Sequence, residues 1–580
     1  MKPARWFWTW MAAVALAALG LRLFHLTPEE FVEGDDATYY LTARSLSVML
    51  GWGWENALAL VAGQADPGKL AAAFAAEGVE MRFPYYSKPV YDFLSVGALA
   101  LFGPRPDAML WMNTLFGVTG VVLIGLLGRH LFGETAGVVA AALLSVSGSA
   151  LIYSRSGLAN MASIALALAG VLLYCRAQSA SRAGKGELGV AGVLGGLALA
   201  THPNLLPFLA LLAAQEGLFR LRGGERADLA LRLGWVGGGA VAALGGIQLI
   251  YLGAQHLFGG VLAALPPSPA PFMTYSEQLA AHTRAVIDGQ VPLAEKLYTY
   301  ILVFWAHEGA PVFALVLAAT GAFLASPSRR SGGLLALLVL FWVPLVFFIL
   351  SRNQAVYRYA AGLVVPALLL AAWGLDRVSA WLADRSGVSR QAALSVGGLL
   401  LVGYNLVQVL PVYTANSAWA SGSRWLHERG QGAVLSSAGM QLWRLSRIAV
   451  VTPTPEAQSQ TPYWALYRRY LKAEEQELLR RVEAKGLAPV FRSEHRRPTK
   501  QLEVQWVRDS WLLSGLAALP GLGGRISAMR EEVLRRNRLC AIEIYDLRQA
   551  DLNDGSAPSA IQRGVFPFTA ARSQWYAERF

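Results

Sequence analysis

The chain has 580 residues, 54% of them hydrophobic and only 15% charged, with a mean hydropathy of +0.39. That balance excludes an ordinary soluble multidomain protein and indicates a polytopic membrane protein. A formal charge of +12 would suggest nucleic acid in a soluble chain, but much of it sits in short loops between apolar runs, where it sets orientation; no nucleic-acid binding is read from it.

The N-terminus, MKPARWFWTWMAAVALAALGLRLF, has a basic start and an apolar run but no small-x-small cleavage site, so it reads as an uncleaved first span. Further apolar runs long enough to cross a bilayer follow near 108–127, 134–152, 159–175, 187–200, 204–219, 234–252, 309–325, 332–350, 360–375 and 392–410, which with 6–24 makes eleven. Alternate loops carry Lys2 and Arg5, Arg129, Arg176 to Lys185, Arg220 to Arg232, Arg329 and Arg330, and Arg377 to Arg390. The positive-inside rule therefore predicts a multi-pass protein of the inner (cytoplasmic) membrane, with its N-terminus in the cytoplasm and everything after Leu410 on the periplasmic side. Of the two cysteines, Cys175 and Cys540 fall on opposite sides of that topology, and no disulfide framework is expected.

The first outer loop contains FVEGDDATYYLTARSL (31–46), with Asp35 and Asp36 adjacent just past a Gly. Two carboxylates at a bilayer edge carry a desolvation cost unless they face water, a metal or a cation, which suggests a positioned site. A solvated loop capping a helix that starts near Ala37 is the alternative. Val90 to Phe102 is apolar but short and contains Asp92, so it is expected as a helix along the surface. The proline-rich LPPSPAPF (265–272) cannot be a continuous helix, and helix is expected to resume near Pro292.

Near Pro411 the composition changes, giving two expected domains, a transmembrane domain (1–410) and an α/β domain (411–580). GAVLSS (432–437), RIAVV (447–451), APVFR (488–492), LEVQWV (502–507) and LCAIEIYDL (539–547) read as strands, and Tyr463–Lys485 and Ile526–Asn537 as helices. The tail holds 24 Lys and Arg against 16 Asp and Glu, an excess that fits anionic headgroups as well as a plain solvated surface.

Taken together, GDDATYYLTAR (34–44), YYSKPVYDFL (85–94), LLGRHLFG (126–133), YSRSGLANM (153–161) and YRYAAGLVVP (357–366) are similar, in order and spacing, to motifs of one family. Residues 1 to 410 resemble the bacterial class C (GT-C) glycosyltransferases of the protein O-mannosyltransferase and lipid A aminoarabinose transferase superfamily. The resemblance implies a membrane enzyme that uses a polyprenyl-phosphate-linked sugar as donor, and a catalytic Asp in the first outer loop. Asp35 takes that position, and Asp36 replaces the family's Glu.

Such a reaction needs the acceptor proton removed as the new bond forms, for which an ionised carboxylate is a suitable base. The phosphate leaving group needs cations. Lys88, in a Lys-Pro pair, and Arg358, between Tyr357 and Tyr359, are the candidates, with Arg155 in YSRSGL a further one. Interfacial snorkelling accounts equally for Lys88; an Arg on the outer side runs against the positive-inside bias, which favours function for Arg358. Tyr39 and Tyr40, beside the acidic pair, and Asn160 and His202 complete the candidates, although His202 fits a helix-end polar residue as well.

Where many relatives carry an acidic residue, this chain has Asn160, and Ser87 stands where some have Glu. A metal built from those carboxylates is in doubt, and a divalent ion at Asp35 and Asp36 is left open. There is no P-loop, no Gly-x-Gly-x-x-Gly after a strand and no Cys/His metal spacing. The expected activity is transfer of one sugar, with inversion, to a hydroxyl of a glycan, lipid or protein acceptor on the outer face. A lipid-linked glycan flippase and a catalytically silent relative are the alternatives; a flippase should place its ionisable groups near the midplane in related halves, and no such halves are seen.

Overall fold

The structure, a computed structural model, describes residues 3–26, 34–77, 88–179, 184–222, 226–264, 274–287, 291–325, 332–351, 356–414, 417–436, 449–451, 462–467, 473–496, 498–518, 521, 523–538 and 541–549. The chain forms two compact units, one of Met1–Phe24 and Tyr40–Val409, the other of His25–Tyr39 and Leu410–Phe566. Cys540 and the proline-rich 265–272 lie outside the described residues.

The helical unit runs α1 (Pro3–Leu23), α2 (Gly34–Glu55, its first turn in the other unit), α3 (Ala57–Val61), α4 (Pro67–Ala76), α5 (Pro89–Phe102), α6 (Asp107–Phe132), α7 (Glu134–Ser145), α8 (Gly148–Ser154), α9 (Asn160–Ser179) and α10 (Lys185–Thr201). It continues with α11 (Leu206–Arg222), α12 (Arg226–Ala263), α13 (Tyr275–Ile287), α14 (Leu293–Leu297), α15 (Val303–Glu308), α16 (Ala310–Ala325), α17 (Gly332–Leu350), α18 (Val364–Ser386) and α19 (Arg390–Val409). Each predicted span falls on helix. Among the described residues seven helices are long and apolar enough to cross a bilayer, or nine if the bent pairs α7–α8 and α14–α16 each make one span. The expected spans at 187–200 and 204–219 fall on α10 and α11, of 17 residues each. This is the architecture of a multi-pass helical membrane protein. The 14 residues of α5 extend only about 21 Å, too short to cross the hydrocarbon core.

Local chemistry explains the two bends. The α7–α8 bend of 59° sits at Ser147, whose Oγ accepts the Ala150 N–H at 3.1 Å and caps α8. The 109° bend sits at Gly309, with φ 87, a conformation that a side chain would oppose and that would drive a Cβ into Asn405. The two breaks meet: Glu308 Oε1 accepts the Ser149 N–H at 3.3 Å, and Ser149 Oγ lies 3.2 Å from both His307 Nδ1 and the Tyr357 hydroxyl. Glu308 thus caps α8 from another helix, which gives one oxygen of a buried carboxylate a donor.

In the second unit α20 (Ala418–His427), α21 (Ala473–Ala484), α22 (Pro498–Asp509), α23 (Trp511–Ala517) and α24 (Gly523–Arg538) accompany a five-stranded sheet. Its strands are β1 (Ala433–Leu435), β2 (Ala449–Val451), β3 (Tyr463–Tyr467), β4 (Phe491–Glu494) and β5 (Ala541–Asp546), in the order β2-β1-β3-β5-β4. β1 is parallel to β2 and β3, and β5 is antiparallel to β3 and β4. Alternation along β3 sends Tyr463, Ala465 and Tyr467 into a core with α20, and Trp464 and Leu466 into one with α21.

Two expectations fail in this unit. Tyr463–Tyr467 is a strand, not the start of a helix, and the described helix within the expected range is α21, Ala473–Ala484. YWALY is apolar throughout because both of its faces are covered, and a run of five cannot show which period it follows. LEVQWV, expected as a strand, lies in α22, where Leu502, Glu503, Trp506 and Val507 are buried at helical spacing.

Candidate active site

The turn at 153–160 is built from the inside of the helical unit. Tyr91, on α5, donates its hydroxyl to the Gly157 carbonyl at 2.6 Å. Asn113, on α6, donates from Nδ2 to the Tyr91 hydroxyl (2.7 Å), the Ser156 carbonyl (2.6 Å) and the Leu158 carbonyl (3.2 Å). Loop carbonyls buried in an apolar bundle need such donors, and these two side chains hold the turn that delivers Asn160 to the start of α9. The sequence reading missed both. The available signal was the Tyr within YYSKPVYDFL and a lone Asn inside an apolar run.

Three of the expected residues come together. Asn160, His202 and Arg358 line one small pocket with Ser163, Asn204 and Tyr359. Asn160 Nδ2 donates to the Arg358 carbonyl at 3.1 Å and lies 3.5 Å from His202 Nε2. His202 is held as the C-cap of α10, its N–H on the Ala198 carbonyl at 2.9 Å. Arg358 stands in the 3₁₀ turn Tyr357–Leu363 that leads into α18. A cation, an amide and an imidazole around one pocket suit an anionic group with several oxygens.

Others stand elsewhere. Arg155 is fully buried at the end of α8, and its Nη1 donates to the carbonyls of Leu21 (3.2 Å), Arg22 (3.0 Å) and Phe24 (2.6 Å). It closes the end of α1, a different task from the phosphate contact expected of it. Lys88, also buried, is the N-cap of α5, one turn before the buried Asp92, with which its charge interacts. The Tyr40 hydroxyl donates to the Pro104 carbonyl at 2.8 Å. Asp35, Asp36 and Tyr39 belong to the second unit; both Asp residues are in the first turn of α2, Asp35 partly exposed and Asp36 fully buried. α2 runs from Gly34, so both carboxylates lie within its first turn, where the helix dipole favours negative charge, and neither caps a helix that starts near Ala37 as expected. Among the described residues no three His, Cys, Asp or Glu side chains gather as a metal site requires.

Residues 86–244 match the family model of the dolichyl-phosphate-mannose-protein mannosyltransferases. That stretch contains Lys88, Arg155, Asn160 and His202, and it excludes Asp35 and Arg358. A search of curated proteins found no match. Solved structures similar to this chain include the oligosaccharyltransferase AglB from Archaeoglobus fulgidus, in complex with an inhibitory peptide and a dolichol-phosphate, at 14% identity over 79% of this chain and 69% of that one, with a TM-score of 0.47. ArnT from Cupriavidus metallidurans, bound to undecaprenyl phosphate, is 15% identical over 76% of each chain, with a TM-score of 0.45. With its helical architecture and the family match over 86–244, the chain resembles the class C polyprenyl-phosphate-sugar glycosyltransferases of the protein O-mannosyltransferase and aminoarabinose transferase superfamily.

Proposed function

We propose that the protein transfers a sugar, with inversion, from a polyprenyl-phosphate donor to a hydroxyl acceptor on the outer face of the membrane, the α/β unit standing on that side. The observation that carries this reading is the pocket of Asn160, His202 and Arg358, two of whose residues fall in the stretch matched to the mannosyltransferase family. In the reaction the acceptor oxygen attacks the anomeric carbon, its proton passes to the Asp35 carboxylate, and the lipid phosphate leaves with the bonding pair. Arg358 and His202 are assigned to that phosphate and Asn160 to its orientation, with Lys88 as a second cation; Asp36 orients Asp35. Arg155 is assigned to the end of α1. No step is drawn through a metal.

Mass spectrometry of envelope glycans and glycoproteins from a deletion strain tests this reading, because the sugar that disappears names the donor and the acceptor class. Complementation with Asp35→Asn, which keeps the side chain's size and removes the base, should lower transfer by about 10² to 10⁴ while purified protein still binds undecaprenyl phosphate. Glycan restored to the parent level would remove Asp35 from the role of base.

A further inference from the structure

We infer that the C-terminal α/β unit is the positioning element of the Asp35–Asp36 turn. This rests on the assignment of Asp35 as the base and gives the tail a task in the same reaction. The segment His25–Tyr39 folds with Leu410 onward, so the unit boundary falls inside α2, about one turn beyond the acidic pair. Ala37, with no exposed surface, is part of the core that α20 makes with the sheet, alongside Ala418, Trp419, Tyr467 and Ile544. Trp419 is itself fixed: its ring centroid lies 5.0 Å from Tyr467 and, edge to face, 4.5 Å from His495. His495 Nδ1 in turn accepts the Ala418 N–H at 3.4 Å, at the start of α20. Asp36, Thr38 and Tyr39 are buried on either side of Ala37.

The first turn of a helix is the part most prone to fray, since its N–H groups have no intrahelical acceptor. How firmly the first turn of α2 is ordered therefore depends on what its small buried residue packs against, and here that is the core of the tail. Trp419 is accordingly a positioning residue: it belongs to the buried core that holds Ala37 and acts on no reacting atom. Misplacing a base by about 1 Å can cost about 10²-fold in rate, whereas donor binding by residues of the helical unit should be untouched.

Hydrogen exchange of the full-length protein in detergent tests this, with Trp419→Ala and Ala37→Leu compared with the parent. Ala37→Leu leaves the tail's own residues intact, which covers the case in which Trp419→Ala unfolds the sheet. In Ala37→Leu the amides of 34–40 should exchange at least about tenfold faster, those of 463–467 should remain protected, polyprenyl phosphate should bind as in the parent, and glycan restoration should fall. Unchanged exchange at 34–40 in Ala37→Leu overturns the anchoring, and faster exchange with full glycan restoration overturns its bearing on the reaction. If Asp35→Asn restores the glycan, the assignment of the base fails instead, and the exchange measurement still decides whether the tail holds the turn.

Discussion

Arg155 and Arg358 look alike in the sequence, each within two residues of a tyrosine near the end of an apolar run, yet the structure surrounds them differently. Arg155 is buried against the end of α1 and donates from one nitrogen to three main-chain carbonyls. Arg358 lines a pocket, and its main-chain carbonyl accepts a hydrogen bond from Asn160 Nδ2. A guanidinium with its donors on backbone carbonyls is part of the scaffold, whereas one that borders a pocket is within reach of a ligand.

Removing each arginine sharpens that contrast. Arg155→Ala leaves three buried carbonyls at the end of α1 without their shared donor and should destabilise the protein by about 3 kcal/mol; thermal unfolding in detergent measures it, and an unchanged midpoint would place Arg155 back among the ligand-binding candidates. Asn113→Ala, which strips two carbonyls of the 153–160 turn and the Tyr91 hydroxyl of a partner, should cost about 2 kcal/mol and make that turn the first site of limited proteolysis. Arg358→Ala should weaken undecaprenyl phosphate binding about tenfold, which corresponds to about 1.4 kcal/mol. Equal affinity in titrations of the two proteins would break the comparison.

The smallest effect expected is at Asp546, whose carboxyl is held below the ordinary Asp range by hydrogen bonds from the Arg548 guanidinium (2.6 and 2.9 Å), against a small opposing effect of burial. A depressed pKa contributes stability that is fully present above the unfolded value of about 3.9 and is lost as pH falls through the folded value. In Arg548→Ala the tail should be slightly less stable than the parent at neutral pH, and that difference should vanish as pH falls through the folded Asp546 value. Denaturant unfolding followed by circular dichroism at a series of pH values would show this, and a difference between the two proteins that stays constant down to the lowest pH would remove the pair from the account.

The spans were legible because length and apolarity are all that a bilayer demands, and Lys and Arg between them mark the loops. The tail was harder. YWALY is buried on both faces and LEVQWV alternates over too few residues to separate periods of 2 and 3.6, so one was read as helix and the other as strand. Residue type singled out Asn160, His202 and Arg358, which the structure brings to one pocket, because a polar group at the end of a span needs a reason to be there. It could not distinguish Arg155, whose partners are backbone carbonyls of a helix more than a hundred residues away and leave no trace in composition. Tyr91 and Asn113 escaped for the same reason.

The length of α12 sets a dimension of the whole outer part. Its 38 residues extend about 57 Å, nearly twice the roughly 30 Å of hydrocarbon that a span must cross. At its far end Phe258, Val261 and Leu262 pack with Leu46, Met49 and Trp52 of α2, Leu60 of α3, and Leu70 and Phe74 of α4. A helix clamped by lipid along one part and by this cluster at its tip acts as a ruler, holding α2 to α4 at a set height from the bilayer. Four residues inserted before Phe258 would raise that height by about 6 Å and swing the cluster by about 40° around the axis, so the position of α2 to α4 is written in the residue count of a helix far from them in sequence.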